Sequence, residues 1–167
     1  MRAQSQTTTT TVPESTSSTT TPTTTPSTTA SPTAPPGKQL VTYRGLRFAA
    51  PADWPVYDLA VDTTRCVRAD EHAVYLGQQG PSPDCPARIL GRTETVQVEP
   101  LDTHSQLDAD RATQVATVNG LPARVDPDAD TNRALTVVFP DQQLVVVITY
   151  RDDRSLADAT LQTFTLA

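Results

Sequence analysis

The chain has 167 residues, a formal charge of −6 and two cysteines. The acidity lies beyond the N-terminal tail, where Arg2 and Glu14 cancel, and no lysine/arginine cluster offsets it. This argues against non-specific binding to nucleic acid or anionic lipid, and no apolar run reaches the roughly 18 residues of a membrane helix.

From Ser5 to Pro36 the chain is almost entirely Thr, Ser and Pro, with Glu14 its only charge. Such a composition buries too little apolar surface to offset its ordering entropy, so residues 1–37 are expected to be a disordered stalk. The prolines at 13, 22, 26, 32, 35 and 36 favour extended polyproline-like segments. Thr/Ser/Pro tracts serve either as O-glycosylated stalks or as plain linkers, and on both readings the tract is a spacer, which points outside the cytoplasm. Met1-Arg2-Ala3-Gln4 leads into threonine without a hydrophobic region. An export signal is therefore expected upstream of this start, or lost by truncation, in preference to the third reading that the protein is not exported.

Residues 38–167 read as one domain of ordinary size. Val41 to Phe48 alternates around Gly45 like a tight hairpin, and Pro51-Ala52-Asp53-Trp54-Pro55 ends it. Val56 to Val61 alternates weakly. Ala73 to Leu76 is a short buried strand, and Thr93 to Val98 alternates cleanly. Asn119-Gly120, between Thr113–Val118 and Leu121–Val125, is the strongest hairpin signal in the chain. A second hairpin joins Ala134–Phe139 to Leu144–Tyr150 through Pro140-Asp141-Gln142-Gln143. Ser155 to Gln162 changes to a helical period, with Leu156, Ala159 and Leu161 near one face and Ser155 as the N-cap. Thr163 to Leu166 closes as a strand. The fold class expected is α+β: a mainly antiparallel β-sheet with a few short helices.

Cys66 and Cys85 enclose about 20 residues and match no zinc spacing. In an exported chain they pair as one disulfide, worth about 3 kcal/mol by chain entropy. It would tie down the loop Gly77–Asp84, which has little of its own to pack.

Few residues carry a chemical signal. Asp126, Asp128, Asp130 and Asn132 place oxygen side chains at alternate positions, as a calcium loop does. However, Thr131 and Val137 stand where an EF-hand loop needs Gly and Glu, so an exposed acidic connection is the competing reading. His72, after Asp70-Glu71, suits either a general base or a strand-edge hydrogen-bonder; His104 falls in a polar, exposed segment. Ser105 and Ser155 lack a nucleophile elbow. Trp54 is expected in the core rather than on a sugar face, and Tyr75 half buried.

The segments YRGLRFAAPADWPVYDL, RCVRADEHAVYLG and DCPARILGRTETVQVEP, about Gln39 to Leu101, resemble the N-terminal accessory region of secreted actinobacterial proteins. In those, a similar segment often precedes a glycoside-hydrolase-like barrel. The spacing Gly-x-x-Phe-x-x-Pro-x-x-Trp at the start and a helix followed by Thr-Phe at the end also resemble the PsbP-like fold. The resemblance implies export and a non-catalytic module; this chain carries no barrel, so no hydrolase residue transfers.

The expectation is a secreted or surface-associated, monomeric interaction module without a cofactor, recognising an envelope or extracellular protein or glycan. Its binding loop would be Gln78, Gln79, Ser82 and Asp84, because binding residues concentrate on loops held by a rigid scaffold. The alternatives are an enzyme or enzyme subunit acting on cell-wall glycan or peptide, and a calcium-stabilised binding domain.

Overall fold

The computed structural model describes residues 33–88, 91–102 and 105–167. Most of the residues 1–37 expected to form a stalk, and His104, lie outside them. Among the described residues, ten strands form two sheets. The smaller has three strands: β1 (Lys38–Tyr43), β2 (Leu46–Pro51) and β10 (Thr165–Leu166) in the order β1-β2-β10, all antiparallel. Arg44 and Gly45, both at positive φ, make the two-residue turn between β1 and β2. Such turns match the strand twist, and this one carries the expected Gly.

The larger sheet has the order β3-β4-β5-β9-β8-β7-β6. Its members are β3 (Val56–Asp58), β4 (Ala73–Leu76), β5 (Thr95–Pro100), β6 (Gln114–Val118), β7 (Leu121–Val125), β8 (Ala134–Phe139) and β9 (Leu144–Thr149). From β5 to β6 every pair is antiparallel. Asn119 and Gly120, at φ 48° and 84°, form the turn between β6 and β7. The mainly antiparallel α+β class therefore holds, with a difference: β3, β4 and β5 run parallel to one another.

Strand alternation builds two buried faces. Val74, Leu76, Val96, Val98, Leu135, Val137, Phe139, Leu144, Val146 and Ile148 face the smaller sheet, meeting Val41, Leu46, Phe48 and Ala50. Phe164 is fully buried at the centre, with its ring 4.5 Å from Phe48 and 5.7 Å from Phe139. The opposite face carries Tyr75 with Ala73 and Leu59, and Val138 with Val145 and Ala112. Loops rather than a helical layer cover it. The 3-10 turn Ala109–Arg111 and the chain on either side of it lie against β8 and β9.

Two helices complete the domain. Helix α1 (Ala129–Asn132) is one turn; Arg133 ends it in the left-handed conformation. Helix α2 (Ser155–Leu161) buries Ala157, Thr160 and Leu161, and packs on β2. The buried stripe thus differs from the one expected, since Ala159 is exposed and Leu156 only half buried. Ser155 is the first helical residue, not the cap. The N-cap position is Arg154, whose side chain makes no capping bond; the Asp153 carboxylate before it accepts the Ser155 N–H at 2.8 Å and the Ser155 hydroxyl at 2.9 Å. Those two bonds, the backbone one first, hold the Asp153 carboxyl below its ordinary pKa.

Trp54 is buried in the main core, as expected of it. Tyr75 is fully buried rather than half buried, because β4 is interior and both its faces are covered. No helix among the described residues is long and apolar enough to cross a membrane.

Candidate functional site

Cys66 and Cys85 form the expected disulfide. It joins two loops that run side by side, one following β3 and the other following β4. Arg65 and Asp84 form a parallel bridge, and the Asp84 N–H donates to the Thr64 carbonyl at 2.7 Å. Gln79 accepts the Val67 N–H on its side-chain oxygen at 2.7 Å. At Gly80 the approach is so close that a Cβ would stand 2.1 Å from the Thr63 carbonyl oxygen. The Gly77–Asp84 loop is therefore held at Gln79, Gly80 and Asp84 as well as by the disulfide, with Pro81 and Ser82 left exposed.

This pairing shapes a cleft of about 400 Å³ at the carboxyl ends of the three parallel strands. Leu59, Ala60 and Thr63 line it after β3, Gly77 to Pro81 after β4, and Pro100 and Asp102 at the end of β5. Tyr43 and Arg44 close it from the β1–β2 turn. Parallel strands end with their backbones diverging into separate loops, which is why ligand crevices of parallel sheets form at that end. The floor is fixed by backbone bonds from Leu59 N–H to the Leu76 carbonyl and from Gly77 N–H to the Val98 carbonyl, both 2.8 Å. Gly77 has φ 93°, and a Cβ there would lie 3.5 Å from the Tyr43 hydroxyl.

The polar groups around this cleft are varied. Gln78 donates its amide to Asp102 Oδ1 at 3.0 Å. The Arg44 guanidinium lies 5.7 Å from the centre of the Tyr43 ring. Burial, with smaller contributions from Asp58 and Glu99, pushes the Tyr43 phenol above its ordinary pKa, against the opposing pull of Arg44. Tyr43 thus stays a neutral donor and acceptor across the physiological range. The set comprises a phenol, a guanidinium, two amides, a hydroxyl and a carboxylate: hydrogen-bonding groups of both senses on a fixed frame.

The predicted loop divides between two places. Gln78 and Gln79 line this cleft, whereas Asp84 lines another of about 480 Å³ beside the disulfide. Ser82 is exposed and lines neither. In the second cleft the arginines are already partnered. Arg65 is bonded to Asp62 at 3.0 Å and stacks 4.2 Å over Tyr57, and Arg68 is bonded to Asp70 and Glu71.

Of the four oxygen-bearing residues proposed for calcium, Asp126, Asp128 and Asn132 line one cleft, while Asp130 turns away from it. Asp126 is buried, and its carboxylate accepts from the Asp128 N–H at 2.8 Å and the Asn132 amide at 3.1 Å. Asp130 turns to the Tyr150 hydroxyl at 3.0 Å and Arg154 at 3.2 Å. The Arg154 bond first, then that of Tyr150, holds the Asp130 carboxyl below its ordinary pKa. Among the described residues no three His, Cys, Asp or Glu side chains are gathered as a metal ion would need. The segment works as a folded turn, because Asp126 bonds the first turn of α1 to the end of β7.

His72 is exposed and stacks on Trp54 with ring centres 5.3 Å apart. Its Nδ1 lies 3.6 Å from Glu94 Oε2, and the Thr93 hydroxyl donates to that same carboxylate oxygen at 2.9 Å. The same hydroxyl lies 3.4 Å from His72 Nδ1 and 3.3 Å from Nε2, so imidazole, hydroxyl and carboxylate form one exposed polar cluster at the strand edge.

Sequence reasoning did not reach Tyr43, Arg44, Leu59, Thr63 and Asp102. They converge only through the parallel pairing of β3, β4 and β5, which no local pattern announces. The positive-φ Gly77 directly after a buried strand is the one signal that could have pointed there. Comparison with family models, with curated proteins and with solved structures gives no match.

Proposed function

We propose that the chain is an exported, non-catalytic recognition module, presented on its Thr/Ser/Pro stalk, whose ligand face is the cleft at the carboxyl ends of β3, β4 and β5. One observation carries this reading: three strand ends and the β1–β2 turn bring Tyr43, Arg44, Thr63, Gln78, Gln79 and Asp102 around one cleft of about 400 Å³. That size is within the range of small-ligand sites. The loops that line it are fixed by backbone bonds and by the close Gly80–Thr63 approach, so little ordering entropy is lost on binding. The disulfide and the composition of the tail support an extracellular setting. The partner is an envelope or extracellular glycan or protein fragment rich in hydrogen-bonding groups.

The test is cosedimentation of the full chain with purified envelope fragments, wild type against the double variant Arg44→Ala/Gln78→Ala. These side chains rim the cleft and make few structural bonds. Loss of the pair should weaken binding by about tenfold or more, equivalent to about 1.4 kcal/mol. Equal binding by a folded double variant would remove the cleft from consideration.

A further inference from the structure

Each sheet ends in two edge strands, and they are protected unequally. Strand β3 is three residues long, follows Pro55 and ends on the charged Asp58, and β10 has two residues. Strand β1 begins at Lys38 and runs into Arg44. Strand β6, Gln114–Val118, has five residues, no charge and no proline, and Val115 is 83% exposed. An edge left without charge, proline or bulge is a template for another strand.

The hairpin geometry fixes which groups are free. The two-residue Asn119-Gly120 turn makes Val118↔Leu121 the hydrogen-bonded closing pair. Alternation then makes Thr117↔Pro122 and Val115↔Arg124 non-bonded pairs. Pro122 fits this pattern, since a residue without an N–H costs that pair nothing. The N–H and C=O groups of Val115 and Thr117 therefore point away from β7 along the open edge, and no backbone partner is found for them among the described residues.

We infer that β6 is a homodimer edge, pairing antiparallel with β6 of a second copy about a twofold axis at Ala116. In that register Val115 faces Thr117 of the second copy, and Thr117 faces Val115. All the outward groups are then satisfied, in two reciprocal hydrogen-bonded pairs, and two β-branched pairs meet on the outer face. A twofold interface must be self-complementary, and this strand is. Charge favours the same occupant. The chain carries −6, yet β6 and β7 hold no acidic residue and only one charge, Arg124. Two acidic copies repel least where they present this edge. The inference is independent of the cleft, which lies at the other end of the sheet order.

Sedimentation velocity of the full chain over a rising concentration series should show a shift from monomer towards twice that mass. Thr117→Pro removes one outward N–H without touching the β6–β7 bonds, and Val115→Lys places a charge on the edge. Both should abolish the shift while the circular dichroism and melting curve stay those of the wild-type monomer. Under mild oxidation Ala116→Cys should form a covalent dimer faster than Val61→Cys, an exposed site away from β6. A chain that stays monomeric throughout the series, a dimer untouched by either edge variant, or equal cross-linking at both cysteines would each overturn the inference.

Discussion

The two ends of the large sheet are built by different means. At the β6–β9 end, neighbouring strands are mostly neighbours in sequence, joined by short turns, and Leu135, Val137, Leu144, Val146 and Ile148 supply an aliphatic core. At the β3–β5 end the strands are parallel, so each crossover must travel back along the sheet. Those crossovers are long, carry no helix among the described residues and are held by polar bonds, a glycine contact and the disulfide. The hairpin end holds the fold through burial. The parallel end spends sequence on loops, and its strand ends open into the cleft.

The largest break in this contrast should come from the shared core. Phe164→Ala removes a fully buried ring stacked between Phe48 and Phe139. It should cost about 3–5 kcal/mol in urea denaturation and lower protection at both ends together. Removing the disulfide with Cys66→Ala/Cys85→Ala should cost about 3 kcal/mol. Hydrogen exchange should then rise first in residues 59–86, with β8 and β9 less affected; uniform exchange would mean the two ends are not separate in stability. Gly80→Ala forces the loop off Thr63, and overpacking of this kind costs about 1–3 kcal/mol. Its amide shifts should be confined to the two crossover loops and the cleft.

The smallest effect concerns acid. Asp130 is held below its ordinary pKa by Arg154 and Tyr150. Its contribution is therefore full above the unfolded carboxylate value and is lost as pH falls through the lower folded value. Asp130→Asn should be slightly less stable than wild type at about pH 7, and the gap should close below about pH 4. A gap constant across the acid range would show that the carboxylate charge contributes nothing.

The hairpins were legible because their information is local. Asn119-Gly120 and Arg44-Gly45 supply the positive φ that a two-residue turn needs, and period-two alternation marks the flanking strands. The cap of α2 was misplaced by one residue: the helix starts after Arg154, a poor capping type, and the Asp153 carboxylate takes up the first helical N–H instead. The candidate site was half legible. Gln78 and Gln79 sit in a loop whose composition stands out, whereas Tyr43, Thr63 and Asp102 stand in unremarkable contexts far apart in sequence.

By itself, the sequence determined the tail's composition, the strand-and-turn rhythm from Lys38 onward and the single cysteine pair. Each depends on residue type and short spacing, which are fixed in the chain. Only the tertiary structure decided that β3, β4 and β5 lie parallel, that the calcium-like carboxylates turn to Asn132, Tyr150 and Arg154, and that β6 ends as an open edge. Those outcomes depend on which distant strands pair. Pairing is settled by how a whole set of apolar faces can be buried at once, not by any one segment.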